Sequence, residues 1–446
     1  VATTKDGMHI KGTKKELING WVTSGYQFAL LPNPDQCQAL ERAFGCERKV
    51  YNEYVAGLYE YLEKTNFQGG RIDYKAPAYP TITAQYHYLD KSNDACVYND
   101  AKRRFQAAIT KYNADYAFKP MTYKKGARKK IKSMGYEPTL RDVKGLPKFH
   151  SKKQGKLSYT TSQTNGNIRL VYREDGVFLR IPKFREGILI VMHRPLPDDA
   201  VIKKATVRRE GDRYLVSLSV DYPANQTPLK QEVAEPKILG LDYSQTALYV
   251  DSEGREAGYP RYHAIIQKRQ RRLNQRLARQ RAAALIDKEG NPVYSKRYQH
   301  TLTRYQRTMA KAKHQRKDFL HKRSTEITNS YDAIVVEDLN LTNLAQCLKL
   351  GKKLHDNGFG MFRTQLKYKA EKKGKHYLVA DPFYPSSKRC SECGKIKETL
   401  PLSMRVYTCD YCHTKMDRDY NAGRNLKQYG MTLLQENGVA VDPVYV

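Results

Sequence analysis

Two Cys-x-x-Cys pairs, Cys390 with Cys393 and Cys409 with Cys412, are separated by fifteen residues. That spacing suits two knuckles closing one tetrahedral zinc site, and a closed four-thiolate site dictates the path of the chain around it. Asp417-Arg418-Asp419-Tyr420-Asn421-Ala422 follows at once, placing a carboxylate cluster at the start of a predicted helix over 420–428, close to a rigid metal clip. Acids at a helix start can be plain caps. Two further carboxylates ask for more than capping: Asp242 ends the apolar run 238–241 and Glu337 ends the apolar run 333–336. A carboxylate at the end of a buried strand is costly unless it binds something.

Charge narrows the partners. Lysine and arginine total 79 against 46 acids, a formal net charge of +33. Such a chain repels itself without a polyanion, and nucleic acid is the natural counterion. The basic residues are spread over several segments, which argues against a single membrane-surface anchor, and the longest aliphatic run, 188–192, is too short to span a bilayer. With no charged-then-apolar leader, the expectation is a cytoplasmic protein with no membrane partner. The remaining cysteines, Cys37, Cys46, Cys96 and Cys347, are scattered singly and fit a reducing compartment rather than a disulfide framework.

A chain of 446 residues is expected to divide into two to four domains. Residues 26–31 read as a strand; Asn33-Pro34-Asp35 starts a helix that Gly45 is expected to interrupt, with a second helix over 46–62. Residues 65–91 read as a loop and 100–111 as a helix carrying Lys102, Arg103 and Arg104. The dense basic run 124–132 has too few apolar residues for its own core and is expected to be an arm that orders on phosphate. Hairpins over 168–181 and 205–220, with a strand at 187–192 between them, point to a small antiparallel barrel.

Residues 221–235 read as a linker. Strands 238–242 and 246–251, with the turn at 252–254 after them, form a hairpin unit, and long helices follow over 262–285 and 295–328. Residues 261–281 hold eight lysines or arginines and no acid, a face suited to a nucleic-acid duplex. Strand 333–337 carries Glu337, and alternation puts Asp338 on the opposite side. A helix over 344–372, with possible breaks at Gly358 and Gly360, and a strand at 377–380 lead into the cysteine segment.

Five segments in order, GLDYSQTALYVDSEG (240–254), AIVVEDLNL (333–341), SSKRCSECG (386–394), YTCDYC (407–412) and DRDYNAGRNL (417–426), resemble the RuvC-like nuclease half of TnpB. TnpB is the RNA-guided nuclease of insertion-sequence transposons and the apparent ancestor of type V CRISPR effectors. Residues 26–54 are similar to the opening of TnpB proteins, where a first strand leads into a helical recognition domain.

The resemblance implies a multidomain α/β protein with an RNase H-like (RuvC) nuclease domain, an inserted zinc ribbon, a small wedge β-barrel and an inserted helical recognition domain. The implied division is an unassigned extension over 1–21, a first barrel strand over 22–32, the helical domain over 33–140 and the barrel over 141–225. The nuclease domain follows over 226–387, then the zinc ribbon over 388–415, the third nuclease motif over 416–429, and a tail over 430–446 expected to be disordered.

The resemblance also implies Asp242, Glu337 and Asp419 as catalytic ligands of two Mg2+ ions, and Cys390, Cys393, Cys409 and Cys412 as ligands of one structural Zn2+. Asp419 is selected over Asp417 because the family's aspartate immediately precedes the aromatic or hydrophobic residue and Asn-Ala; Arg418 is either a contact to the scissile phosphate or a solvated side chain. Two departures stand out: His413 follows the last cysteine where glycine is frequent, and Gly423 replaces a common alanine. The implied partners are a noncoding guide RNA and double-stranded target DNA, cut beside a short flanking motif. The alternatives are a miniature type V CRISPR effector using a crRNA, a guided DNA-binding repressor without cleavage, and a metal-dependent transposase or resolvase acting without RNA.

Overall fold

Asn33 starts the first helix by a reciprocal cap. Its Oδ1 accepts from the Gln36 N–H at 2.8 Å, and Gln36 Oε1 accepts from the Asn33 N–H at 3.1 Å. Helix α1 (Pro34–Lys64) then runs unbroken through Gly45, because its buried stripe of Leu40, Phe44, Val50, Tyr54 and Leu58 outweighs the roughly 1 kcal/mol that a helical glycine costs. The expected break at Gly45 is therefore absent. The computed structural model describes residues 21–89, 93–151, 157–223, 235–244, 247–288, 290, 292–341, 351–401 and 403–436. It divides into two compact units, Val1–Ala224 and Asn225–Val446. The N-terminal extension up to residue 20, most of the expected linker (224–234) and residues 437–446 lie outside the described residues.

In the first unit, β1 (Trp21–Leu31) precedes α1, α2 (Tyr79–Thr83), α3 (Ala95–Tyr116) and α4 (Lys125–Met134). The strands β2 (Leu157–Ser162), β3 (Arg169–Arg173), β4 (Gly176–Ile181), β5 (Phe184–Val191), β6 (Val201–Glu210) and β7 (Arg213–Pro223) follow. They form one antiparallel sheet in the order β2-β6-β7-β1-β5-β4-β3, with β1 paired to β7 from Trp21↔Pro223 to Leu30↔Tyr214. The four helices are thus inserted between the sheet's central strand and the rest. No ladder joins β2 to β3 among the described residues. Tyr26, Phe28 and Leu30, alternating along β1, share one core with Phe44, Tyr54 and Phe105 from the helices and with Val216 and Leu218 from β7. Sheet and helices consequently form one unit. The basic run expected to be an arm is helix α4, closed by Gly135 at φ 60°.

The second unit contains β8 (Ile238–Ser244), β9 (Leu248–Asp251), α5 (Tyr262–Ala282), β10 (Leu285–Ile286), β11 (Pro292–Val293) and α6 (Lys296–Ser330). Then come β12 (Ala333–Val336), α7 (Gly351–Asn357), α8 (Phe359–Lys372), β13 (His376–Val379), β14 (Val406–Thr408), β15 (Lys415–Asp417) and α9 (Arg418–Glu436). Residues 342–350 lie outside the described residues; the rest of the helix expected over 344–372 is α7 and α8, parted at Gly358 with φ 69°. Residues 430–436, expected to be part of a disordered tail, are helical, because Gly430, Met431 and Leu434 are buried against the sheet. Among the described residues no helix is long and apolar enough to cross a membrane.

The central sheet of this unit has the order β13-β12-β8-β9, with β12 parallel to both β8 and β13, and β9 antiparallel at the edge. Helices cover both faces. Leu239, Leu241, Ile334 and Val336 pack with Leu320 and Ile327 of α6 and Phe362 and Leu366 of α8. Ile238, Ala333 and Val335 pack on the other face with Leu426, Met431 and Leu434 of α9.

Helix α9 lies unusually close to the sheet. A Cβ on Gly240 would stand 2.1 Å from the Gly423 carbonyl oxygen and 2.6 Å from the Lys427 nitrogen, and one on Gly430 would stand 2.3 Å from Val335 Cγ2. Gly423 itself sits with Asp251 and Ser252 backbone atoms 3.0 Å from its Cβ position, so the departure from alanine matches a tight helix-strand contact. Gly240→Ala is expected to lower stability by about 1–3 kcal/mol or more, as overpacking against backbone does. Gly25, with nothing within 4 Å of its Cβ position, supplies the control substitution for a denaturant titration. Equal midpoints for the two variants would mean that α9 is not seated on β8.

Candidate active site and metal centre

Strand alternation decides which side chains meet. Ile238, Gly240 and Asp242 point to the α9 face of β8, as do Ala333, Val335 and then Glu337 on β12. The register pairs Leu241 with Val336, so Asp242 and Glu337 are the next two residues out at the C-terminal ends of neighbouring parallel strands. Crevices beyond the carboxyl ends of parallel strands are where open α/β sheets bind ligands. Asp419 enters from above, in the first turn of α9. Asp338, one residue on, points the other way and pairs with Arg363 at 3.3 Å.

The electrostatics record the convergence. Asp242 is only 6% exposed, and its carboxyl is held well above the usual range, first by burial and then by the negative charges of Glu337 and Asp419, with Arg418 acting in the opposite direction. Asp419 is raised by burial and then by Asp417, with Arg405 and Arg418 opposing and Glu256 adding to the rise. Glu337 Oε1 accepts a hydrogen bond from Ser386 Oγ at 2.7 Å. Asp417 is otherwise engaged: its Oδ1 accepts from the N–H groups of Asp419 and Tyr420 at 2.9 and 3.0 Å, capping α9. Arg418 is held by the Pro401 carbonyl at 3.2 Å, and its charge acts on both buried Asp242 and half-buried Asp419.

The four cysteine sulfurs lie within 4.8 Å of one another, with Cys390–Cys412 and Cys393–Cys409 both at 3.6 Å. Ligands 2.3 Å from a tetrahedral zinc stand about 3.8 Å apart, so the donor set fits that ion. Burial pushes the Cys390 thiol up to about 12, while hydrogen bonds with the Thr414 side chain and backbone lower Cys412 to about 6. Both knuckles turn through the left-handed region one residue after their second cysteine, at Gly394 (φ 71°) and His413 (φ 59°). That geometry accounts for glycine being frequent where His413 stands.

Among the described residues no other group of three or more potential ligands is as tight as the cysteines. Asp242, Glu337 and Asp419 do not form such a group. Reading the sequence missed Glu256, an exposed residue bridged to Val250 whose charge reaches Asp419, and Ser386, the hydrogen-bond donor to Glu337. Glu256 carries no local signal. Ser386 opens the SSKRCSECG segment but looks like an ordinary turn serine.

The face of α5 supplies the charge. All eight lysines and arginines over 261–281 are exposed, while Leu273 and Leu277 face inward.

Sheet edge, carboxylates and cysteine cluster together define a multidomain α/β protein with a four-cysteine ribbon beside an acidic strand end. Three protein-family profiles match in sequence order: a helix-turn-helix domain over 22–66, "Probable transposase" of the OrfB/IS605 type over 216–348, and "Cas12f1-like, TNB domain" over 359–426. A "Putative RNA-guided DNA endonuclease" of Streptomyces pristinaespiralis is 28% identical over 422 residues, 92% of this chain and 90% of that protein. One of the same description from Mycobacterium tuberculosis is 25% identical over 434 residues, covering 92% and 87%. A solved Cas12f1–sgRNA–target DNA complex aligns with 89% of this chain and 83% of that one, at 15% identity and a TM-score of 0.48. The chain carries domains of the TnpB/IS605 transposase family.

Proposed function

We propose that the chain is an RNA-guided, metal-dependent DNA endonuclease that cuts double-stranded DNA beside a short flanking motif through one site formed by Asp242, Glu337 and Asp419. In this reading residues 226–387 and the α9 motif are an RNase H-like (RuvC) nuclease domain, 388–415 the zinc ribbon, 33–140 a helical recognition domain, and β1 with 141–225 the wedge. The antiparallel β8–β9 hairpin beside parallel β12 and β13, with Val250↔Glu256 as a single-bridge remnant of a third strand, supports it. The names of the relatives agree.

The observation that carries the reading is the placement of Asp242 and Glu337 at the adjacent C-terminal ends of parallel β8 and β12, where the charges of Glu337 and Asp419 act on buried Asp242. A buried carboxylate whose proton affinity is raised by two further carboxylates is arranged for a cation rather than for fold stability. Two Mg2+ ions, when bound, would supply Lewis acidity to activate water and to stabilise the leaving oxygen. Asp242, Glu337 and Asp419 would hold them. Arg418 offsets excess negative charge while the site is filled or empty, and the exposed basic face of α5 would bind phosphate backbone without reading sequence. Base pairing with a noncoding guide RNA would carry sequence choice.

Incubating the protein with a matched plasmid and Mg2+, with and without guide RNA, tests this: cleavage is expected only with guide and target together. Cutting without guide would point to a transposase or resolvase, and binding without cutting to a repressor. Sequencing the RNA that copurifies distinguishes a transposon-end transcript from the repeat-derived crRNA of a miniature type V CRISPR effector.

A further inference from the structure

Why a zinc ribbon adjoins the acidic residues is not explained by the nuclease chemistry alone. Its anchoring contacts give a reason. Ser386, 2% exposed, donates to Glu337 Oε1 at 2.7 Å, and its own carbonyl accepts from Asn425 Nδ2 at 2.8 Å. The same amide donates its second hydrogen to the Arg389 carbonyl at 2.6 Å, immediately before zinc ligand Cys390. Asn421, one turn earlier on α9, also donates to the Arg389 carbonyl at 2.7 Å and accepts from the Ser391 N–H at 3.0 Å. Gln428 donates to the Ser391 carbonyl at 2.8 Å. Asn421 and Asn425 are fully buried, and Asn425 Oδ1 has no partner. A buried amide that leaves its oxygen unpaired is retained for what its nitrogen does.

These bonds tie together the end of β12, the first knuckle and the helix that bears Asp419. We infer that Ser386 is a positioning residue for Glu337, and that the first zinc knuckle, through Asn425, sets where Ser386 stands. This rests on the nuclease reading. A glutamate beyond a strand end has three side-chain torsions to fix; a hydrogen bond at Oε1 fixes them and leaves Oε2 to face a cation. Residues that orient a metal's ligands are worth about 10–100-fold in metal affinity or activity.

The test uses the full-length, guide-loaded protein with Mn2+ as the probe ion. Free Mn2+ is counted by electron paramagnetic resonance, cleavage is followed against Mn2+ concentration, and Asp242→Asn marks which bound Mn2+ belongs to the site. Ser386→Ala is expected to raise the Mn2+ concentration for half-maximal binding and cleavage by about 10-fold or more, with the target-DNA KM and the zinc content unchanged. Ser386→Thr, which restores a hydroxyl, should recover most of the loss. Unchanged Mn2+ affinity in Ser386→Ala overturns the positioning role while leaving the nuclease reading intact. Loss of zinc or of the folding transition in that variant overturns it in favour of a purely structural serine. If wild-type protein holds no Mn2+ that Asp242→Asn removes, the nuclease reading itself fails, and the inference with it.

Discussion

Asp242→Asn is expected to reduce cleavage by more than about 100-fold, beyond the loss seen when only a ligand's supporting residue is removed, while guide and target binding stay unchanged. The second half of this expected result is thermodynamic. Asp242 has its carboxyl raised in the fold by burial and by Glu337 and Asp419. A carboxylate whose folded value lies above its unfolded one costs stability at any pH above the unfolded value, and that cost disappears only below it. Neutral pH lies above the unfolded value, so the metal-free protein carries a cost there and asparagine should raise its thermal midpoint. A carboxylate kept for structure would behave in the opposite way. Scanning calorimetry in chelator, beside a plasmid assay in Mg2+, reads both halves; a lower midpoint in the variant would make Asp242 a structural acid.

Sites that trade stability for activity are the ones sequence reading reaches best, because a carboxylate at the end of an apolar run is an anomaly that local pattern displays. Asp242 and Glu337 were legible for that reason, and period-two alternation alone separates Glu337 from Asp338, which the structure turns toward Arg363. The cysteine cluster was legible from spacing. The choice of Asp419 over Asp417 came from the resemblance, and the capping bonds of Asp417 give it a separate physical basis.

What local pattern could not display were long-range contacts. Gly45 looked like a break because nothing nearby reveals that Phe44 and Val50 pack into a core shared with β1. The end of α9 looked like tail because Gly430, Met431 and Leu434 form no motif until β12 lies beneath them. Gly423 looked like a bare departure from alanine and is a point of close approach to the backbone at Asp251 and Ser252. Ser386 and Asn425 meet across 39 residues of sequence, and their pairing exists only once the ribbon has folded back on the helix.

Removing the zinc is expected to have the largest effect on stability and to abolish cleavage as well. The ribbon's own core is small: Cys390, Tyr407 and Cys409 are buried, with Leu400 and Met416 packed against them. A cluster of that size cannot offset the backbone entropy of the segment it orders, at about 1–2 kcal/mol per residue. Structural zinc contributes about 10–16 kcal/mol in comparable small sites, so the fold of the segment depends on the ion. Cys409→Ser, or prolonged chelation, should therefore erase hydrogen-exchange protection over 388–417 while the amides of β8 and β12, held by parallel pairing and helices on both faces, stay protected. Cleavage should fall with the ribbon, since the Arg389 carbonyl that anchors Asn421 and Asn425 belongs to the segment that unfolds. Hydrogen exchange with mass spectrometry, metal analysis and a plasmid assay on the same samples separate the possibilities. Zinc-free protein that keeps the segment protected would show that the four thiols need no ion to hold their fold, and zinc-free protein that still cuts would detach the ribbon from the acidic site.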